Sequence, residues 1–254
     1  MQIKNRNDNY ITRFSEHFSR KNELIDLPSS IVKVSKSICK IETPFEKTSG
    51  FLIKFLKKED FFCLMTNGHV IEKELIEQNN EIKFYYDVGN KCNKICLNIN
   101  ERFIRNFKDI GIDSTIIEIL PKDNISKNYF LIANTDYMFN YDNLLNKDIT
   151  VVQYTKGNCN YSSGKITDIE GNKFTHSAST NPGSSGSPIF LKDTTRVIGI
   201  QKSRRAFSKD NNGDFIIPIF NFLKKVTSNR IRAHKHIYTG FNKPNKNKII
   251  PKMI

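Results

Sequence analysis

From Ile31 onward apolar and polar residues alternate in short runs rather than recurring every three or four positions. IVKVSKSICKIE (31–42) alternates as a half-buried strand does, and after Ser49-Gly50 a second run, GFLIKFL, follows. FFCLMT, EIKFYYDV, KICLNI, STIIEIL, DITVVQYT, SGKITDI, NKFTHS, SPIFL and RVIGIQ continue the series, with Gly, Asn and Asp clustered between many of them. Short strands punctuated in this way predict an all-β sandwich or barrel with antiparallel strands. Two stretches break the pattern. EKELIEQ (72–78) predicts a turn or two of helix. In PIFNFLKKV (218–226), Ile219, Phe222, Leu223 and Val226 fall at helical spacing, which predicts a short C-terminal helix packed on the β body. Residues 1–30 are polar and mixed in charge and read as a helical or irregular extension. No internal repeat is visible.

The chain has 254 residues, 38% hydrophobic and 11% aromatic. That is enough for one large β domain or two small ones with a buried core. The net charge is +14. Seven of those charges, Arg230, Arg232, Lys235, Lys243, Lys246, Lys248 and Lys252, sit in residues 227–254, where no Asp or Glu occurs. Such a tail suits nucleic acid or an anionic surface, or simply solvates the protein; no nucleic-acid motif accompanies it. Cysteines at 39, 63, 92, 96 and 159 are odd in number and fit neither a zinc site nor a dense disulfide framework. The first residues lack the apolar run of a signal peptide, and no stretch reaches membrane-spanning length. The expectation is free thiols in a reducing, cytoplasmic compartment.

The chemistry concentrates in NPGSSGSPIF (181–190), a serine-glycine run pinned between prolines and followed by an apolar strand. A linker has this composition, and so does a loop that exposes one serine. A serine nucleophile needs a base, a group that orients the base, and donors for the developing oxyanion. Gly183, two before Ser185, lets the backbone turn; Gly186, just after it, keeps the approach open.

PGSSGSPIF resembles the Gly-x-Ser-Gly-Ser/Gly-Pro motif of chymotrypsin-like (trypsin-fold) serine proteases, nearest the glutamyl-endopeptidase and HtrA-like branches. CLMTNGHVI (63–71) resembles the family's strand-plus-Thr-x-x-His segment, with His69 as the base, and SGFLIKF (49–55) the hairpin strand before it. DIGIDSTIIEIL (109–120) resembles the aspartate that opens a half-buried strand, with two candidates. Counting from Asp113 leaves an apolar strand with Thr115 as its small residue. Counting from Asp109 puts the charge of Asp113 inside that strand, so Asp113 is preferred. The order His69, Asp113, Ser185 is that of the chymotrypsin class. An α/β-hydrolase would need Gly-x-Ser-x-Gly between a strand and a helix, and here Ser187 and a strand stand instead.

Over residues 31–226 the resemblance implies two antiparallel β-barrels with the site between them. His69 and Asp113 would come from the first, Ser185 from the second, and the boundary would lie near 121–147. DFIIPIFNFL (214–223) would be the closing strand and helix. It implies peptide-bond hydrolysis with no cofactor or metal, with the N–H groups of Gly183 and Ser185 as the oxyanion hole. Ser184 stands where trypsin has the aspartate that pairs with a newly cut N-terminus, so propeptide cleavage is not expected to be needed. The family's disulfide around the histidine is missing; Cys63 has no cysteine close by in sequence. Ser179, Thr180, Gln201 and Ser203 are the expected substrate-binding residues. Ser179 in place of trypsin's pocket aspartate argues against Lys or Arg on the acyl side of the cut, and Gln201 stands where the glutamyl branch has a histidine. Lys202, Arg204, Arg205 and Lys209 form a basic run that attracts acidic substrate residues or merely meets solvent. Two functions follow: a serine endopeptidase acting on polypeptides, or a catalytically idle binding module on the same fold whose tail holds nucleic acid or an anionic surface.

Overall fold

The computed structural model describes residues 29–56, 60–137, 140–155, 157–204 and 210–225. The lead-in up to residue 28, the tail 227–254, Val226, Arg205 and Lys209 lie outside the described residues. Fourteen strands and three helices make up most of the rest. The first helix among the described residues, α1 (Ser29–Ser35), corrects the sequence expectation of a strand across 31–42: only β1 (Ile38–Glu42) is extended there. Ile31 and Val34, three apart, are both buried in the large core between the barrels. Tertiary burial of one helical stripe thus overrides the strand preference of the β-branched residues.

The first barrel contains β1, β2 (Lys47–Phe55), β3 (Phe61–Thr66), β4 (Glu81–Tyr86), β5 (Lys91–Cys96), β6 (Ile104–Asn106) and β7 (Thr115–Glu118). They pair antiparallel in the order β5-β4-β1-β2-β3-β7-β6. Helix α2 (Lys73–Glu77) lies between β3 and β4, where the short helix was expected. Next comes β8 (Leu131–Ala133), which runs parallel to both β2 and β13 and joins the two halves. The second barrel contains β9 (Asp148–Thr155), β10 (Asn158–Glu170), β11 (Lys173–His176), β12 (Pro188–Leu191), β13 (Arg196–Arg204) and β14 (Asn211–Phe215). Its ladder closes on itself: β9-β10-β11-β14-β13-β12 and back to β9. Helix α3 (Ile217–Lys225) follows, as its spacing predicted.

Several runs, such as FFCLMT and DITVVQYT, are more continuously apolar than alternation requires, because both faces of those strands are buried. On β2, Leu52 points into the first barrel, while Phe51, Ile53 and Phe55 join the core shared between barrels. On β3, Leu64 points in and Phe61, Cys63 and Met65 point toward the partner barrel. Ile149 and Val151 of β9 fill the second barrel, and Val152 and Tyr154 face the first. This shared core, capped by Phe220 and Leu223 of α3, brings the His69 loop and the Ser185 loop to one seam. None of the five cysteines, all among the described residues, is in a disulfide. No helix among the described residues is long and apolar enough to cross a membrane.

Candidate active site

His69 leaves the end of β3 through Asn67-Gly68, and Asp113 precedes β7, which pairs with β3. The β3–β7 ladder therefore delivers them side by side. Asp113 Oδ2 lies 2.7 Å from His69 Nδ1, and Asp113 Oδ1 accepts the His69 backbone N–H at 3.0 Å. One carboxylate thus grips both ring and backbone and places a proton on Nδ1, leaving Nε2 as the open base. The hydrogen bond to Asp113 raises the His69 pKa from its ordinary value, against the opposing effect of partial burial. Burial pushes the Asp113 carboxyl up, but the bond and charge of His69 outweigh it and the net shift is downward. Asp109, the other candidate, pairs instead with Arg105 at 2.5 Å.

Side chains unmarked in the sequence reading hold this pair. Asn67 Nδ2 donates to Asp113 O at 2.8 Å, and Asn106 Nδ2 donates to Gly68 O at 2.8 Å and Ile71 O at 3.2 Å. Asp214 of β14, 1% exposed, reaches across from the second barrel and accepts the Asp113 N–H at 2.7 Å. Burial raises the Asp214 pKa, and its Oδ1 has no hydrogen-bond partner among the described residues. A charge at the start of the apolar run DFIIP was the signal available for Asp214.

Ser185 sits in a tight loop ahead of β12. The N–H groups of Ser184, Gly186 and Ser187 are bound within the chain, to Asn181 O at 3.0 Å, Gln201 O at 2.9 Å and Ser184 O at 3.0 Å. Those of Gly183 and Ser185 have no intramolecular acceptor among the described residues. Carbonyls of the same two residues are turned into the first barrel: Ser49 Oγ donates to Gly183 O at 2.7 Å, and Ser49 N and Thr48 Oγ1 donate to Ser185 O at 3.0 and 2.7 Å. Gly183 and Gly186 have φ of +92° and +86°, a region costly for other residues. At Gly186 a Cβ would also collide with Ser49 O and come within 2.6 Å of Thr66 Oγ1. Thr66, three residues before His69, in turn donates to Ser49 O at 2.9 Å. The serine and histidine loops thus meet across Ser49. No hydrogen bond joins the Ser185 hydroxyl to His69 among the described residues; without substrate such bonds are commonly long and tighten on binding.

Of the expected substrate-binding residues, Gln201 lies against the serine loop: its O accepts the Gly186 N–H at 2.9 Å and its N–H donates to Ser187 O at 2.8 Å. Thr180 Oγ1 donates to Asn211 Oδ1 at 2.6 Å, and Ser179 O accepts from Gln153 Nε2 at 3.2 Å. Gln201 is 1% exposed, with its Oε1 2.6 Å from His176 Nε2. Burial lowers the His176 pKa to about 4, so the ring is neutral at pH 7. His176 itself was not singled out in the sequence. Ser203 stands opposite Asn212 in the β13–β14 ladder.

Residues 48–200, more than half the chain, match the model of the trypsin-like peptidase domain. The chain belongs to the trypsin-like peptidase family. No curated protein sequence matches it. Among solved structures, the inactive form of the Rv3671c protease of M. tuberculosis superposes with a TM-score of 0.55 at 18% identity, over 79% of this chain and 94% of that one. A Glu endopeptidase superposes with a TM-score of 0.55 at 16% identity, over 78% and 95%. At these identities the likeness is one of fold: a chymotrypsin-type pair of barrels.

Proposed function

We propose that this trypsin-like peptidase is an active serine endopeptidase. The observation that carries the reading is the double grip of Asp113 on His69, at 2.7 and 3.0 Å, beside a serine loop with two unoccupied amides. Ser185 Oγ attacks the scissile carbonyl while His69 Nε2 takes its proton. The carbonyl oxygen becomes an oxyanion and takes the N–H groups of Gly183 and Ser185. His69, now positive and stabilised by Asp113, gives the proton to the departing amine. Water then enters by the same route in reverse and releases the acyl half. Ser184 offers no charge to pair with a new N-terminus, so the oxyanion site forms without propeptide cleavage. In this reading Thr180 and Gln201 select the acyl-side residue.

Profiling a peptide library with the wild type and Ser185→Ala tests the reading. Cleavage at defined bonds by the wild type alone is the expected result. A folded wild type that cuts nothing, or a Ser185→Ala variant that cuts equally well, refutes it.

A further inference from the structure

If Gly183 and Ser185 hold the carbonyl of the cut bond, the other half of the substrate leaves from beside His69, on the first barrel. A cavity of about 400 Å³ opens there, with His69 as one wall. Its floor is apolar: Val70 and Leu75 are each 2% exposed. A second wall is Phe45, 78% exposed at the tip of the β1–β2 hairpin. Within that tip Thr43 Oγ1 accepts the N–H groups of Phe45 and Glu46 at 3.2 and 3.1 Å. Three carboxylates, Glu46, Glu72 and Glu74, complete the lining. Glu72 pairs with Lys108 at 3.2 Å, whereas Glu46 and Glu74 make no ion pair among the described residues. Two carboxylates without an ion pair thus stand beside the base on a chain of net charge +14, and the charge of Glu46 adds to the upward shift of His69.

We propose that this cavity is the subsite for the leaving half of the substrate, and that it selects a lysine or arginine within the first two residues after the cut bond. The inference rests on the peptidase reading and adds a substrate class to it. His69 must hand its proton to the leaving amine, so the residues attached to that amine pass along the imidazole wall and into the cavity. A long cationic side chain matches the lining at both ends. Its methylene stem covers Val70, Leu75 and the Phe45 ring, and its head reaches Glu46 and Glu74. An acidic side chain in the same place meets like charge.

The test uses peptides that share an acyl half chosen by library profiling and carry Arg, Leu or Glu at the two positions after the cut. The wild type is expected to cleave the Arg series roughly three- to tenfold better in kcat/KM than the Glu series, the scale of one or two partly exposed ion pairs. In Glu46→Gln/Glu74→Gln that ratio should shrink to within about twofold, as expected once the ion pairs are gone. A wild-type ratio near one, or a ratio unchanged in the double variant, overturns the assignment. Labelling by a fluorophosphonate separates the two levels: a labelled, cleaving enzyme without the preference sinks the subsite alone, and a folded chain that neither labels nor cleaves sinks both.

Discussion

The two barrels hold their shares of the site by different means. In the first, His69 is positioned by side chains: Asp113 on its ring and amide, Asn67 on Asp113, Asn106 on the loop carbonyls, and Asp214 reaching over from β14. In the second, Ser185 is positioned by backbone: two glycines at positive φ and three internal amide bonds, with Ser49 and Thr48 holding its carbonyl from outside. The histidines differ in the same sense. His69 is half exposed and shifted upward by a carboxylate, while His176 is buried beside neutral Gln201 and shifted down to about 4. A site half built on side chains should fail steeply when one is changed. A site half built on backbone should fail only where the backbone itself cannot follow.

The largest break is expected at Asp113. Asp113→Asn keeps the shape but reverses the preferred tautomer, and kcat should fall about 10⁴-fold. The same carboxylate stabilises protonated His69, so in the wild type kcat/KM should fall as pH drops through a value above the ordinary histidine pKa. In the residual activity of the variant that limb should move to lower pH. Next comes Gly186→Ala. Its Cβ strikes Ser49 O and its φ of +86° disfavours alanine; displacement of the serine by an ångström should cost about 100-fold in kcat/KM with the fold intact by circular dichroism.

Third in size is the acid response of His176. In the unfolded chain it binds a proton near pH 6.5, and in the fold only near 4. Between these values the unfolded state holds more protons, so stability present above pH 6.5 is lost as pH falls. Between pH 7 and 5 the loss should be about 2 kcal/mol, read as a drop in the denaturant midpoint that His176→Phe largely removes. Smallest is Thr48→Val, which deletes one donor to Ser185 O and leaves the Ser49 amide in place. About 1 kcal/mol, or roughly fivefold in kcat/KM, is expected; a 100-fold loss would mean that hydroxyls, not backbone, hold the serine.

Much of the architecture was readable because the motifs carry their own stereochemistry. Gly183 and Gly186 mark a backbone that needs positive φ, and the apolar run after Asp113 made it a better strand opener than Asp109. Residues 29–35 misled because Ile31, Val32 and Val34 favour strands locally, and only the inter-barrel core rewards the helical stripe. Strands β6 and β8 were missed because three residues give no periodicity, and Arg105 and Asn106 in β6 are polar yet buried for the bonds they make. The partners of the site, Asn106, Asp214 and His176, come from separate elements and meet only through the fold. Apart from the charge that opens the apolar run at Asp214, nothing local distinguishes them from turn or surface residues.

Reaction with a fluorophosphonate, read by mass spectrometry of the modified peptide, tests the central claim most directly. The account predicts one adduct, on Ser185, formed by the wild type and strongly slowed by His69→Ala. A folded wild type without the adduct, or with it on another serine, would contradict it.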